Sequence, residues 1–290
     1  MKKNILYVVL IFVSVFRLFS ESYPFENQRY LFDAYFAPIK GIEPRWKMEF
    51  KNGELLLDIP KVPIEVLDPE VGFFTDYSLK EKYSISKYKD FLFLSTSNKK
   101  YMLLYCEDKF CILMDCNKVG TFFGGNNNSS YVTSKGHITL FSPVPNNAKY
   151  SSVLEENIED EHIVYNGWSE CYLQLQVPWV PASGNNGIGE WIETTYSYEI
   201  DELLIVNGFV RADKPDWYYN NARVKTAFIE TSEGSWFITL KDTPHPQIIK
   251  LPKKVSGRIR LTIDSVYEGE KYKDVCLAGF YVLYKTPEKK

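Results

Sequence analysis

The chain has 290 residues, 45% of them apolar, 24% charged and 16% aromatic, with 34 Lys plus Arg against 37 Asp plus Glu. This is the composition of a globular protein long enough for two cores of ordinary domain size. A slightly acidic balance with no basic cluster excludes nucleic acid as a partner, because phosphate backbones demand one.

In chain order, Lys2 and Lys3 precede the uncharged run Asn4 to Phe16, then Arg17 and Ser20-Glu21-Ser22. This pattern predicts a secretory signal peptide over residues 1–20. It is too short to span a bilayer as the roughly 20 apolar residues of a transmembrane helix do. The expected product is an exported chain, periplasmic, cell-surface or secreted, with no membrane insertion after signal removal. Loss of Lys2, Lys3 and Arg17 leaves 31 basic against 37 acidic side chains.

Residues 21–149 read as a small antiparallel β-domain of no recognised family. Trp46 to Phe50 and Glu54 to Ile59 flank Lys51-Asn52-Gly53, and Asn-Gly accepts the positive φ angles of a tight hairpin turn. Phe91 to Ser95, Lys100 to Cys106 and Phe110 to Met114 predict a three-stranded meander turning at Thr96 to Lys99 and Glu107 to Lys109. Cys106, Cys111 and Cys116 are close enough in sequence for one local disulfide in an oxidising compartment. Cys106 with Cys111 is the favoured pair and a bridge to Cys116 the alternative. Metal binding is not expected, since Cys-x-x-Cys spacing and a histidine at ligand spacing are both missing. Gly124 to Ser130 and Pro143 to Asn147 read as a loop and a linker, and Asn127 and Asn128 each begin an N-x-Ser sequon. The acidic segment Leu154 to Glu161 reads as a helical turn or a solvated stretch.

From about residue 150 to 290, strands are predicted at Glu202 to Asn207, Val224 to Glu230, Ser235 to Leu240, Gln247 to Leu251 and Val275 to Tyr284. Ile259, Leu261 and Ile263 alternate with polar residues, the period of a strand with one wet face. Cys276 lies in an apolar run and reads as a buried free thiol. Many short strands without amphipathic helices predict an all-β sandwich or barrel.

Four blocks in this half carry a resemblance. Gly187-Ile188-Gly189-Glu190-Trp191-Ile192, Ile205-Val206-Asn207-Gly208-Phe209, Asn220-Asn221-Ala222-Arg223-Val224-Lys225 and Tyr272-Lys273-Asp274-Val275-Cys276-Leu277 occur in the order of the NAD glycohydrolase translocation domain. That family is a galactose-binding-like, discoidin-type (F5/8 type C) jelly-roll β-sandwich, and the resemblance implies a non-catalytic binding module that needs no cofactor. The chain departs from the pattern at Gly279, where the family commonly has glutamate.

A sandwich binds ligands with the loops at the end of its sheets. The richest loop runs from Arg211 to Asn221. Arg211, Asp213, Asp216, Trp217, Tyr218, Asn220 and Asn221, with Arg223 beyond it, offer the flat aromatic, carboxylate, amide and guanidinium groups that a sugar ring requires. The competing reading has Trp217 and Tyr218 plugging the sandwich end and Arg223 bridging to Asp213 or Asp216. Enzymatic activity is not expected: the three histidines, His137, His162 and His245, sit in linkers or a proline-fixed loop, and no nucleophile elbow, zinc motif or P-loop occurs. The expected partner is a glycan or a cell-surface protein. The alternative function is a cell-envelope structural or interaction protein that binds no sugar, and behind it a hydrolase in the N-terminal domain.

Overall fold

A computed structural model describes residues 23–33, 45–59, 77–117, 121–126, 140–141, 148–158, 161–167, 177–182 and 185–283. The expected signal peptide, both sequons, His137, the linker Pro143 to Asn147 and Cys171 lie outside these residues. Nine strands come first: β1 Arg29–Asp33, β2 Arg45–Lys51, β3 Glu54–Ile59, β4 Tyr77–Lys82, β5 Ser84–Tyr88, β6 Phe91–Ser95, β7 Lys100–Cys106, β8 Phe110–Asp115 and β9 Thr121–Asn126. The predicted Asn-Gly turn joins β2 to β3, with φ of 53° at Asn52 and 75° at Gly53. All nine strands form one antiparallel sheet in the order β4-β3-β2-β1-β9-β8-β7-β6-β5. Its two outermost strands, β4 and β5, are separated in sequence by Tyr83 alone, so the ends of the sheet meet and it rolls into a barrel. Glu81 on β4 fastens this seam to the β6–β7 turn. Its carboxylate accepts bonds from the Ser97 hydroxyl (2.6 Å), the Ser97 backbone N–H (3.0 Å) and the Asn98 amide (3.2 Å).

Strands β6 to β8 are apolar at nearly every position because both of their faces are covered. Leu92, Leu94, Tyr101, Leu103, Cys111 and Leu113 point into the barrel with Tyr30, Met48, Phe50, Leu55 and Leu57. Phe91, Phe93, Met102, Leu104, Cys106, Phe110, Ile112 and Met114 point outward and join the core of the C-terminal half. This same alternation overturns the expected disulfide. Cys106 is paired with Phe110 and Cys111 with Tyr105, so Cys106 and Cys111 face opposite sides of the sheet and cannot approach. Cys116 lies at the other end of these strands, its N–H bonded to the Lys100 carbonyl, about 20 Å along the strand from Cys106. Cys106, Cys111, Cys116 and Cys276 are all free thiols.

The C-terminal half contains β10 Leu140–Phe141, β11 Lys149–Tyr150, β12 Glu155–Ile158, β13 Glu161–Val164, β14 Trp191–Asn207, the single turn α1 Trp217–Asn220, β15 Ala222–Thr231, β16 Gly234–Thr239, β17 Gln247–Tyr267 and β18 Val275–Leu283. The sheet order is β10-β18-β14-β17-β15-β16, with β11 added to β14. Strands β14 and β17 are long and shift register between Tyr196 and Glu202, and these bulges bend them. A parallel pairing of β15 with β18, Ala222 to Val275 and Arg223 to Cys276, closes the sheet on itself. The fold is all-β.

Two sequence readings change here. The acidic segment is not a helical turn but the hairpin β12–β13, solvated along all of β12, in which Glu155 pairs with Val164 and Asn157 with His162. Gly124 and Gly125, read as loop, belong to β9, where ladders to β8 and β1 on either side hold the backbone whatever the side chains. Gly279 also finds its reason. A Cβ placed there would lie 2.4 Å from Cε2 of the buried Tyr281 ring, so the space a glutamate stem would need is filled by an aromatic two residues along the same strand.

Candidate functional site

The predicted loop leaves the end of β14 and returns into β15, and the residues that frame it explain its shape. Asn207 is fully buried. Its carbonyl oxygen accepts the N–H groups of Val224 (3.0 Å) and Gly208 (3.1 Å), and its amide donates to the Val224 carbonyl (2.7 Å). One side chain thus pins the end of β14 to the start of β15. Gly208 follows with φ of 79°, and a Cβ there would meet the Tyr218 ring at 2.5 Å. The Asn-Gly pair therefore exists to let Tyr218 close over the backbone.

The eight candidate residues separate into three groups. Tyr218, Asn220, Asn221 and Arg223 hold the sandwich end together. Tyr218, 1% exposed, donates to Asp242 (2.9 Å) and lies edge-on to Phe91 of the barrel; burial, reinforced by the Asp242 charge, pushes its phenol far up. Arg223 is buried as well. It grips Asp242 through Nε (3.0 Å) and Nη2 (2.7 Å), while Nη1 donates to the carbonyls of Asn221 (2.9 Å) and Glu268 (3.1 Å). Its partner is Asp242, not Asp213 or Asp216. Asn220 is buried, its carbonyl accepting the N–H of Tyr272 (2.8 Å) and Lys271 (3.1 Å), and the Asn221 amide donates to the Trp217 carbonyl (2.8 Å). Buried or bonded within the sandwich end, these residues form the plug.

Asp216 belongs to the contact with the barrel. It accepts from the Tyr88 hydroxyl (2.5 Å) and pairs with Lys89 (3.5 Å); the Tyr88 bond, then Lys89, holds its carboxyl below the usual range. Beside it Tyr219 donates to Asp90 (3.1 Å), accepts the Asp90 N–H (3.0 Å) and receives the Lys89 ammonium 4.0 Å from its ring centroid. Across the same interface His245 Nδ1 accepts the Tyr105 N–H at 3.2 Å. Burial lowers that imidazole to about 4, so it is neutral with its proton on Nε2.

Arg211, Asp213 and Trp217 remain. Arg211 donates twice to Asp213 (2.9 and 2.7 Å), a bidentate pair that keeps the Asp213 carboxyl low. The Arg211 guanidinium and the Lys214 ammonium lie 5.1 and 4.6 Å from the centroid of the half-buried Trp217 ring. Phe209 supports that indole from 4.8 Å, within a small cluster that includes Tyr165, Leu154 and Ile163 from the β12–β13 side. Tyr165 donates to Glu156 (3.2 Å), and burial together with that carboxylate raises its phenol to about 12.

The accessible part of the site therefore consists of Trp217, Arg211, Asp213 and Lys214, with Tyr165 and Glu156 nearby. Sequence reasoning missed Asp242, Tyr88, Lys89, Asp90, Glu156 and Tyr165. Each lies far along the chain from the loop, and only closure of the fold brings it in.

A search of curated proteins found no match. Among solved structures, the arabinofuranosyltransferase AftD from Mycobacteria aligns at 16% identity and TM-score 0.33, over 47% of this chain and 10% of that one. A protein from Bacteroides thetaiotaomicron assigned as an α-L-fucosidase aligns at 16% identity and TM-score 0.30, over 51% of this chain and 29% of that one. This chain spans only a small part of either protein. Residues 141–283 match the family described as the NAD glycohydrolase translocation F5/8 type C domain, the family that the four sequence blocks of this half resemble.

Proposed function

We propose that this is an exported, non-catalytic binding protein whose C-terminal domain recognises a glycan with the surface formed by Trp217, Arg211 and Asp213. The family is of a kind that fits a binding role. The observation that carries the finer reading is the half-buried indole held at the sandwich end beside a rigid guanidinium–carboxylate pair. A sugar ring presents a C–H face to such an indole and hydroxyls to such a pair. Lys214 is exposed, with its ammonium over the Trp217 ring, and a sugar reaching that ring displaces it. Arg211, locked to Asp213, stays in place.

The test is a glycan-array measurement on the full chain with Trp217→Ala and Lys214→Ala in parallel. Trp217→Ala is expected to weaken binding about tenfold, on the order of 1–2 kcal/mol for an aromatic contact, while Lys214→Ala retains it. Binding unchanged by Trp217→Ala would move the ligand site elsewhere. Silence from the folded wild type would turn the reading to a protein partner in the envelope.

A further inference from the structure

The outer edge of the C-terminal sheet is unusually bare. Strand β16, Gly234-Ser235-Trp236-Phe237-Ile238-Thr239, ends the strand order and pairs with β15 alone among the described residues. It contains no charge, proline or bulge, the devices by which edge strands are normally kept from pairing with another chain. At its centre Phe237 is 67% exposed, the most exposed of the large hydrophobic side chains named among the described residues. Its ring lies 4.9 Å from that of Phe228 on β15.

The direction of its backbone groups follows from the register. The Leu240 N–H donates to the Lys225 carbonyl, and hydrogen-bonded pairs alternate along an antiparallel ladder. Trp236 and Ile238, opposite Ile229 and Ala227, therefore turn their N–H and C=O groups toward β15. Ser235, Phe237 and Thr239 turn theirs to the open edge, and all three are exposed.

We propose that β16 pairs antiparallel with β16 of a second copy of this chain, about a two-fold axis through Phe237. Registers centred on a residue align outward groups with outward groups, and only the one centred on Phe237 pairs all three outward residues of the strand with one another. Phe237 then faces Phe237, and Ser235 faces Thr239 in both directions. Just beyond the strand ends, the same register brings Glu233, in the β15–β16 turn, beside Lys241 of the other copy, so opposite charges meet twice. Both residues are exposed, and the bond holding Glu233 within its own chain is a long one, to Lys253 at 3.5 Å. On one face Phe228, Phe237 and their two symmetry mates form a four-ring row across the junction. The pairing is isologous and closes at two copies, which uses up both edges. It does not depend on the ligand reading of the loop at the other end of β15.

The experiment is sedimentation velocity of the full chain over a concentration series, with Glu233→Lys, Lys241→Glu and Phe237→Asp variants. The wild type is expected to sediment as a dimer that dissociates on dilution. Each single charge reversal places like charges opposite each other twice and is expected to weaken association about tenfold or more. An equimolar mixture of Glu233→Lys with Lys241→Glu restores two attractive pairs and is expected to dimerise as the wild type does, an outcome that misfolded variants cannot produce. Phe237→Asp sets two carboxylates face to face and is expected to give a monomer with an unchanged circular dichroism spectrum. A wild type that stays monomeric at every concentration, a dimer indifferent to these substitutions, or a mixture that remains monomeric would each overturn the proposal.

Discussion

Arg223 shows how a residue suited to gripping a ligand comes to hold its own fold. Its guanidinium is buried and meets a carboxylate and two backbone carbonyls with short bonds, leaving nothing free for an incoming group. Arg223→Ala is expected to cost about 2–3 kcal/mol, the scale of hydrogen bonds to a charged group. Asp242→Asn should cost less, about 1 kcal/mol, because Asp242 is partly exposed and its charge is screened by water. The double variant should cost less than the sum of the two, since both remove the same bonds. Urea unfolding midpoints at constant m-value measure all three; an Arg223→Ala chain unfolding at the wild-type midpoint would remove Arg223 from this role. The residue types around the loop were legible in the sequence, but their partners were not. Asp242 stands 19 positions from Arg223, and nothing local marks it as the acceptor in place of Asp213 or Asp216.

At the scale of elements, period-two alternation located the strands well wherever one or both faces were apolar. It placed β2, β3, β6, β7 and β8 within a residue or two and identified the turn at Asn52-Gly53, because side-chain burial and turn chemistry are both local properties. It failed where backbone pairing alone holds the strand, at Gly124-Gly125 in β9 and at the acidic hairpin β12–β13. The cysteines suffered a related error. Closeness in sequence ignores which face of the sheet a residue occupies, and Cys106 and Cys111, an odd number of positions apart around a tight turn, fall on opposite faces. Burial raises Cys106 and Cys116 to about 11 and pushes Cys111 and Cys276 well above the ordinary thiol value. Thiols so protonated and enclosed react slowly. In the native chain Cys106, Cys111 and Cys276 are expected to resist a thiol-directed reagent until denaturant is added, and Cys116 to react first. Peptide mapping after labelling checks this, and a peptide joining any two of Cys106, Cys111 and Cys116 within one chain would contradict the strand register.

Across the whole molecule, the N-terminal barrel and the C-terminal sheet share one core, through the outward faces of β6 to β8, and a rim of polar contacts surrounds it. His245 is the histidine of that rim. Its folded value of about 4 lies below the ordinary 6.5 because burial disfavours the cation, so between these values the unfolded chain binds the proton and the folded chain does not. Stability is therefore fully present above about pH 6.5 and declines as the pH falls toward 4. Melting temperatures of wild type and His245→Phe across pH 4 to 7 test this: the difference between them should shift in favour of Phe as the pH falls, and a constant difference would show that His245 does not titrate on unfolding. The sequence by itself determined the all-β class, most strand positions and the family that the C-terminal half resembles, since these rest on local alternation, turn residues and ordered motifs. Only the tertiary structure decided that the first sheet rolls into a barrel, that its outer face is buried, and that Tyr218 and Arg223 serve the fold while Trp217, Arg211 and Asp213 stay accessible. Those outcomes depend on which distant faces and charges are brought together when the sheets close, and residues far apart in the chain carry no local mark of the contact they will make.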